Sequence, residues 1–299
     1  MKKQGVVLAP CKVNLTLDIT GRRPDGYHEM EMVLLAADLC DRVTVTLHSG
    51  REIRVECDNR NVPLGEGNLA VRAARIFYER TGLPAQGMDI SIEKRIPMEA
   101  GLAGGSADAA AVLVALNALW KAGLSLEELE ETALPLGADV PFCLRGGVVI
   151  ARGIGEEFHV LPPLPDCFLV IAKPWEGVST AAAFRRADEL GISRHPDTRQ
   201  MEMAIGSRKL PQIARHLYNV LEPAAGLPII PELKRLLLEE GALGAVMTGS
   251  GSAVVGLFAE ESAAQSARER LSPLCQGVFI ARPCTQGAHL VQLDGRCIE

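Results

Sequence analysis

A glycine-rich segment that runs directly into an apolar stretch constrains the fold of this chain more than any other feature. It reads IPMEAGLAGGSADAAAVLVALNALW over residues 96–120. Apolar and polar residues alternate over residues 88–94, which predicts a strand, and Pro97 ends that strand. A glycine turn and the start of a helix follow, so several N–H groups point outward from the positive end of the helix dipole. This order predicts a binding site for an anion such as phosphate.

The glycines of the turn and two polar residues after them define the start of the helix. Gly101, Gly104 and Gly105 permit backbone angles and close approaches that a Cβ would block. Ser106 is predicted as the N-cap and Asp108 in the first turn, because small polar residues satisfy free N–H groups there. The alternative is a glycine turn that only caps a buried helix. The segment contains no Walker sequence GxxxxGK[ST], and its glycine spacing does not fit the dinucleotide motif GxGxxG.

The rest of the chain mixes strands and helices, which indicates an α+β protein. Period-two alternation and short apolar runs predict strands at residues 41–49, 52–57, 147–151, 167–173, 244–248, 253–258 and 277–281. Apolar spacing and caps predict helices at residues 68–82, 231–241 and 261–271, a short helix after a capping box of Ser125 and Glu128, and a largely helical region from residue 180 to about residue 221. Residues 249–252, GSGS, are predicted as a plain hairpin turn.

Three prolines in PPLPD, residues 162–166, predict a linker between two domains. With the helical region taken as an insertion, the order after the linker is strand–helix–strand–strand–helix–strand, the split βαβ order of a ferredoxin-like fold. We therefore predict an N-terminal domain over residues 1–160, which carries the glycine turn, and a C-terminal domain over residues 161–299. A cleft is expected between them.

Composition argues against several classes of protein. The chain of 299 residues has a formal net charge of −6, so it lacks the basic surface that nucleic-acid binding requires. Its most apolar stretch, residues 109–116, is too short for a membrane span, which takes about 20 apolar residues. The eight cysteines contain no CxxC pair, which favours free buried thiols over disulfides or a metal site. Since MKKQGVVLAPCKVNL has no apolar leader, we expect a cytoplasmic protein.

Five segments in order along the chain resemble motifs of the GHMP kinases, the superfamily of galactokinase, homoserine kinase, mevalonate kinase and phosphomevalonate kinase. They are APCKVNLTLDITGRRPDGYHEM (residues 9–30), GLAGGSADAA (101–110), LGADVPFCLRGG (136–147), GVSTAAAF (177–184) and VMTGSGSAVVGLF (246–258). The resemblance covers nearly the whole chain. It implies a kinase that moves the γ-phosphate of ATP onto a hydroxyl group. It also implies a two-domain GHMP kinase fold, with a ribosomal S5 domain 2-like N-terminal domain and a ferredoxin-like C-terminal domain.

The form GLAGGSADAA most resembles the branch of this superfamily whose substrate is linked to cytidine diphosphate, in the non-mevalonate isoprenoid pathway. The resemblance implies Mg²⁺ beside ATP, with Ser106 as a ligand of the metal. It further implies that ATP binds to Pro97, Met98, Glu99, Ala100, Gly101, Leu102, Ala103, Gly104, Gly105, Ser106 and Ala107. Ala103 stands where many members have glycine, which predicts ordinary backbone angles at this residue.

Two residues are candidates for the chemistry of phosphoryl transfer, which needs positioning, charge neutralisation and a hydroxyl that can lose its proton. Asp139 follows a Gly-Ala pair and precedes Val-Pro-Phe, so it is either a base at the edge of apolar surroundings or a turn aspartate. Lys12 and Asn14 lie on one face of the strand CKVNLTLDI, where both can also face solvent. The family resemblance favours catalysis, with Lys12 near Asp139, where a cation stabilises charge on the aspartate and on the phosphoryl group.

The substrate site is predicted from aromatic residues in both halves of the chain. Tyr27 and His28 follow the turn signal Asp-Gly, which predicts a loop at the mouth of the cleft, and Phe184 comes from the second half. In the resembling family two aromatic residues enclose the cytosine and a histidine binds it. The resemblance therefore assigns Tyr27, His28 and Phe184 to the base, and Asn14 and Thr180 to the substrate. The alternative is that Tyr27 and Phe184 pack locally and His28 faces water.

Two other functions stay open at this point. One is a kinase for mevalonate, homoserine or a sugar in the same superfamily, against which the segments DGYH and GGSADAA argue. The other is a non-catalytic nucleotide-binding regulator, against which the presence of both Lys12 and Asp139 argues. The favoured prediction is a kinase for the 2-hydroxyl of the cytidine-linked substrate. A homodimer is left open.

Overall fold

A hairpin of two long strands forms the centre of the first of two β-sheets. The computed structural model describes residues 3–298, within which β1 (Gln4–Arg22) and β2 (His28–His48) pair antiparallel along nearly their whole length. Alternation predicts only the second half of β2. Alternation does not predict the first half, because that half carries apolar residues on both faces, as at Leu34 and Leu35, which are both buried.

Seven further strands complete the first sheet. They are β3 (Ile53–Cys57), β4 (Gly87–Glu93), β5 (Val148–Arg152), β6 (Glu157–Val160), β8 (Tyr218–Asn219), β12 (His289–Leu293) and β13 (Arg296–Cys297). The main order is β13–β12–β1–β2–β4–β3. Strand β5 pairs with β2 and with β6, whereas the short β8 runs parallel to β1. The sheet therefore draws strands from both ends of the chain.

The second sheet has the predicted ferredoxin-like topology. It consists of β7 (Phe168–Pro174), β9 (Gly244–Met247), β10 (Val254–Phe258) and β11 (Cys275–Ala281), in the order β11–β7–β10–β9. All neighbouring strands in it are antiparallel. This pairing is what the order strand–helix–strand–strand–helix–strand requires.

Ten α-helices pack on the sheets within the described residues. They are α1 (Leu69–Thr81), α2 (Gly104–Trp120), α3 (Leu126–Ala133), α4 (Asp139–Arg145), α5 (Thr180–Leu190), α6 (Thr198–Gly206), α7 (Leu210–Arg215), α8 (Glu222–Ala225), α9 (Ile229–Glu239) and α10 (Glu261–Leu271). The predicted caps of α1 are confirmed, since the Asn68 side chain accepts from the amide of Ala70 and Gly82 is left-handed. The capping box of Ser125 and Glu128 is confirmed as well.

Helix α2 is buried on nearly every side, as its composition of Ala, Leu and Val predicts. The predicted N-cap of this helix is wrong. The helix begins at Gly104, its N-cap is Ala103, and Ser106 lies inside the first turn without a capping hydrogen bond. The left-handed backbone of Ala103 turns the chain into the helix before Ser106 is reached, which leaves the Ser106 hydroxyl free for another role.

The predicted linker lies in a stretch without helix or strand, residues 161–167. The domain division at residue 160 stays a prediction. Strands β12 and β13, which fall in the second predicted domain, extend the first sheet, so the last part of the chain returns to the first part. All eight cysteines are free, and four of them are buried. Among residues 3–298, none of the helices combines the length and the apolar character of a membrane span.

Candidate active site

The glycine loop, residues 97–103, connects β4 to α2 and has a strongly curved backbone. Glu99 (φ 51°), Gly101 (φ 72°) and Ala103 (φ 58°) are all left-handed. The ordinary angles predicted for Ala103 are therefore wrong, and an L-residue accepts this conformation at a cost of about 1–2 kcal/mol. The curve brings the start of α2 to the surface of a cavity, where its first amides have no partner within the helix. The first amides of α2 therefore face the cavity, and the anion site itself stays a prediction.

A second glycine loop, residues 248–252, joins β9 to β10 and packs directly against the first. The amide of Ala253 donates to the carbonyl of Ala100 at 3.2 Å, and the hydroxyl of Thr248 donates to the carbonyl of Gly101 at 3.2 Å. A Cβ on Gly101 would lie only 2.1 Å from the carbonyl oxygen of Thr248. The segment GSGS is therefore part of a two-loop surface, in addition to the plain hairpin turn that the sequence predicts.

The side chain of Asn219 supports the backbone of the second glycine loop through hydrogen bonds. Its buried side chain donates to the carbonyl of Met247 at 2.7 Å and to the carbonyl of Gly249 at 2.8 Å, and it accepts from the amide of Leu221 at 2.9 Å. A side chain with this many buried partners fixes the backbone that it contacts. Asn219 is thus a structural residue of the site.

Lys12, Asn14 and Asp139 come together beside the glycine loop. The Nζ atom of Lys12 donates to Oδ1 of Asn14 at 2.9 Å and lies 3.7 Å from Oδ1 of Asp139. The Lys12 side chain is 6% exposed and the Asp139 side chain is 40% exposed, so only the aspartate opens broadly to the cavity. The alternative in which Lys12 and Asn14 face solvent is wrong, because both are buried. Asp139 is the first residue of α4, where the helix dipole adds positive potential.

Lys12 and Asn14 are also tied to the two glycine loops. The backbone amide of Lys12 donates to the carbonyl of Leu102 at 3.1 Å, and the amide of Asn14 donates to the hydroxyl of Thr248 at 2.9 Å. Strand β1 therefore fixes the distance between its buried lysine and both loops. This arrangement places a cation, a carboxylate and free helix amides around one space.

A buried cluster of three ionisable side chains underlies the glycine loop, and the sequence does not predict it. Lys94 Nζ binds Oδ2 of Asp108 at 2.8 Å and also binds Oδ2 of Asp41. The other oxygen of Asp41 accepts from the amides of Arg95 at 2.6 Å and Ile96 at 2.9 Å. The cluster joins the start of the loop to the first turns of α2, so it holds the two ends of the loop together.

Burial decides the protonation behaviour of this cluster. Burial raises the pKa of the Asp108 carboxyl above its ordinary value, and the Lys94 ammonium offsets this effect only in part. Burial lowers the pKa of Lys94, but attraction to Asp108 and Asp41 outweighs it, so the pKa of the ammonium is raised. Within the described residues, Oδ1 of Asp108 has no hydrogen-bond partner. Lys94 is therefore charged at neutral pH, whereas Asp108 resists ionisation.

The predicted base-binding residues line the same cavity. The rings of His28 and Phe184 stack with their centroids 4.9 Å apart and their planes at 27°. Tyr27 is 64% exposed and lies in the turn before β2, whereas His28 is the first residue of β2. The hydroxyl of Thr180 lies 2.8 Å from that of Ser250 in the second glycine loop. Thus Phe184 and His28 stack on each other from distant parts of the chain, and Tyr27 is exposed.

One cavity of about 1320 Å³ connects the glycine loops, the Lys12–Asp139 pair and the aromatic residues. Most of the predicted site residues line it, namely Lys12, Tyr27, His28, Pro97, Met98, Glu99, Gly101, Ala103, Gly104, Gly105, Ser106, Asp139, Thr180 and Phe184. The other four, Asn14, Ala100, Leu102 and Ala107, are buried behind the surface. Lining residues that sequence reasoning missed include Leu69, Lys94 and Leu134. The two leucines carried no signal, whereas Lys94 is a charge at the end of a predicted strand.

Comparison with known proteins points to one family. Residues 68–147 match the model described as GHMP kinases N terminal domain, and residues 207–274 match the model described as GHMP kinases C terminal. The chain is 44% identical over 274 residues to 4-diphosphocytidyl-2-C-methyl-D-erythritol kinase of Alkaliphilus metalliredigens, covering 91% of this chain and 94% of the relative. The same-named protein of Bacillus subtilis is 42% identical over 277 residues, covering 92% and 95%.

Two solved structures share this fold over nearly the whole chain. A crystal structure of 4-(cytidine 5'-diphospho)-2C-methyl-D-erythritol kinase superposes with a TM-score of 0.79 at 36% identity, covering 93% of this chain and 98% of the other. Homoserine kinase from Cytophaga hutchinsonii superposes with a TM-score of 0.77 at 22% identity, covering 97% and 98%. The second match concerns the fold alone.

The contact between the two glycine loops predicts an effect of Gly101→Ala on ATP use. The new Cβ would meet the Thr248 carbonyl and force the loops apart, so we expect the KM for ATP to rise about tenfold or more. Gly123→Ala is a matched control, because Gly123 also has φ +72° but a Cβ there would meet no heavy atom within 4 Å. Steady-state kinetics at varied ATP should show the increase in the first variant alone. Equal KM values in the two variants would contradict a role of the loop contact in ATP use.

The buried charge cluster predicts a large loss of stability in Lys94→Met. Removing the ammonium leaves two buried carboxyl groups without their cation, so the free energy of unfolding should fall by about 3–5 kcal/mol. Lys209→Met serves as the control, since Lys209 is exposed and its replacement should change stability by less than about 0.5 kcal/mol. Urea unfolding measures both. A loss under about 1 kcal/mol in Lys94→Met would show that the cluster does not hold the loop.

Proposed function

This chain belongs to the 4-diphosphocytidyl-2-C-methyl-D-erythritol kinases, a family of GHMP kinases, and we propose that it transfers the γ-phosphate of ATP to the 2-hydroxyl of 4-diphosphocytidyl-2-C-methyl-D-erythritol. It is an ATP-dependent small-molecule kinase, a phosphotransferase with an alcohol as acceptor. The reaction belongs to the methylerythritol phosphate route to isoprenoids. A cytoplasmic location stays a prediction.

The observation that carries the proposal is the meeting of Lys12 and Asp139 beside the glycine loop in a single cavity. Kinases need little covalent help from protein, because positioning and charge neutralisation supply most of the catalysis. Here a helix N-terminus, a buried cation and an accessible carboxylate surround one space. The helix N-terminus suits the phosphates of the nucleotide, and the cation suits the phosphoryl group in transfer. The carboxylate suits the acceptor hydroxyl, which must lose its proton.

We assign the two sides of the cavity to the two substrates. The phosphates of ATP would bind the amides at the start of α2 and the two glycine loops. The cytidine end would bind near Tyr27, His28 and Phe184, where base–aromatic stacking contributes about 1–3 kcal/mol per base. Its reacting hydroxyl would then lie near Asp139. The two substrates would thus approach Lys12 and Asp139 from opposite directions.

Asp139 and Lys12 have different roles in the proposed reaction. The Asp139 carboxylate accepts the proton of the acceptor hydroxyl as its oxygen attacks the γ-phosphorus. Lys12, which is held by Asn14 at 2.9 Å, stabilises the negative charge on the transferring group. This hydrogen bond and the burial of the side chain keep the ammonium in place, so no reorganisation is needed during transfer.

Magnesium fits the site as a companion of the nucleotide. Among residues 3–298, no group of three or more His, Cys, Asp or Glu side chains is placed to hold a metal ion. Mg²⁺ that arrives with ATP needs only one or two protein oxygens, and the Ser106 hydroxyl at the cavity surface can provide one. When bound, the ion neutralises charge on the phosphate oxygens.

A coupled assay of ADP release tests the proposed function. The protein with Mg²⁺ and ATP should release ADP rapidly with the cytidine-linked alcohol, and only at background rate with mevalonate, homoserine or galactose. Phosphorylation of one of those alcohols at a higher kcat/KM would assign the chain another substrate within the GHMP kinases. No ADP release with any of them would favour a nucleotide-binding regulator.

The role of Asp139 predicts a loss of turnover without loss of binding. Asp139→Asn should lower kcat by roughly 10²–10⁴-fold, the range typical of a lost general base, with the KM of the cytidine substrate nearly unchanged. Lys12→Ala should also act mainly on kcat. Because the two residues act as a pair, the double variant should lose less than the product of the single losses. Fully multiplicative losses would contradict a shared role.

A further inference from the structure

His28 is held by a carboxylate of the opposite half of the chain. Its Nε2 atom lies 2.8 Å from Oδ1 of Asp188, a residue of α5. The other oxygen of Asp188 lies 3.9 Å from the guanidinium of Arg22, at the end of β1. The imidazole side chain is only 14% exposed, whereas that of Asp188 is 40% exposed. Asp188, which lies at the surface, therefore holds the largely enclosed ring of His28 in place.

This hydrogen bond determines which nitrogen of the ring carries hydrogen. An ionised carboxylate has only acceptor oxygens, so Nε2 must be the donor. In the neutral ring, Nδ1 is then an acceptor with a free lone pair. Among residues 3–298, Nδ1 has no hydrogen-bond partner, and His28 lines the cavity. The site thus presents one acceptor at this position.

Helix α5 fixes the plane of the ring as well as its tautomer. Phe184, which stacks on His28, lies on α5 four residues before Asp188. Residues four apart lie on the same face of a helix, so one face of α5 contacts the imidazole through a ring and a carboxylate. The stack sets the plane of the ring, and the hydrogen bond to Asp188 distinguishes its two nitrogens.

We propose that Asp188 is a positioning residue that makes the site select cytosine over uracil, by keeping Nδ1 of His28 an acceptor. This inference rests on the proposed cytidine site. Cytosine has an amino group at the 4-position that donates and an N3 that accepts, whereas uracil has a carbonyl at the 4-position that accepts and an N3–H that donates. We place Nδ1 of His28 opposite the 4-position, where an acceptor nitrogen binds the amino group of cytosine and meets the carbonyl of uracil lone pair against lone pair. Rejection by an unpaired polar group is the strongest kind of discrimination available to such a site.

The test compares the natural substrate with its uridine-diphosphate-linked analogue. We would measure kcat/KM for both in the unmodified protein, in Asp188→Ala and in Glu189→Ala, at about pH 8, where free imidazole is neutral. Glu189 is the adjacent exposed carboxylate of α5, so its removal changes the same charge on the same helix. Without Asp188, the ring can place its hydrogen on Nδ1 and donate to uracil. The preference for cytidine should fall at least about tenfold in Asp188→Ala and stay unchanged in Glu189→Ala.

Each other outcome overturns the inference. If Asp188→Ala weakens both substrates equally, the preference is unchanged, and Asp188 only supports α5. If the unmodified protein uses both bases equally, His28 does not select the base through this hydrogen bond. Both results leave the kinase activity itself in place. Failure of the unmodified protein to phosphorylate the cytidine substrate would instead overturn the proposed function.

Discussion

The close contact between the two glycine loops is the constraint on which the rest of the site depends. Gly101 and Thr248 approach so closely that no side chain fits between them, and they belong to parts of the chain far apart in sequence. Each loop is held from behind by buried polar groups, the first by the Lys94 cluster and the second by Asn219. The surface that faces the cavity therefore consists of rigid backbone, which is suited to binding phosphate oxygens through amides.

Two buried lysines lie near this surface, and the exposure of their carboxylate partners distinguishes a structural role from a catalytic one. Lys94 lies between two buried carboxyl groups, and its charge is used entirely within the fold. Lys12 is equally buried, but the side chain of its carboxylate partner, Asp139, is 40% exposed toward the cavity. The first arrangement stabilises the loop on which the nucleotide would bind. The second leaves a carboxylate and a cation available to a reacting hydroxyl and phosphoryl group.

Much of this organisation could be predicted from the sequence, because local patterns specify it. The glycine loop before an apolar helix, the caps of α1 and the ferredoxin-like strand order follow from spacing and composition. Contacts between distant residues could not be predicted. Asp108 inside the apolar helix α2 indicates that a buried partner exists, but the sequence does not identify that partner. The register of β2 with β4 brings Asp41 and Lys94 together beside Asp108. The left-handed backbone of Ala103 could not be predicted, because an alanine rarely adopts this conformation.

A crystal structure with a non-hydrolysable ATP analogue and the cytidine substrate tests the central claim most directly. The account predicts that the phosphates contact the amides at the start of α2 and lie against both glycine loops. The acceptor hydroxyl should lie within hydrogen-bond distance of Asp139, with Lys12 beside the γ-phosphate. Phosphates bound away from the loops, or an acceptor hydroxyl remote from Asp139, would contradict it.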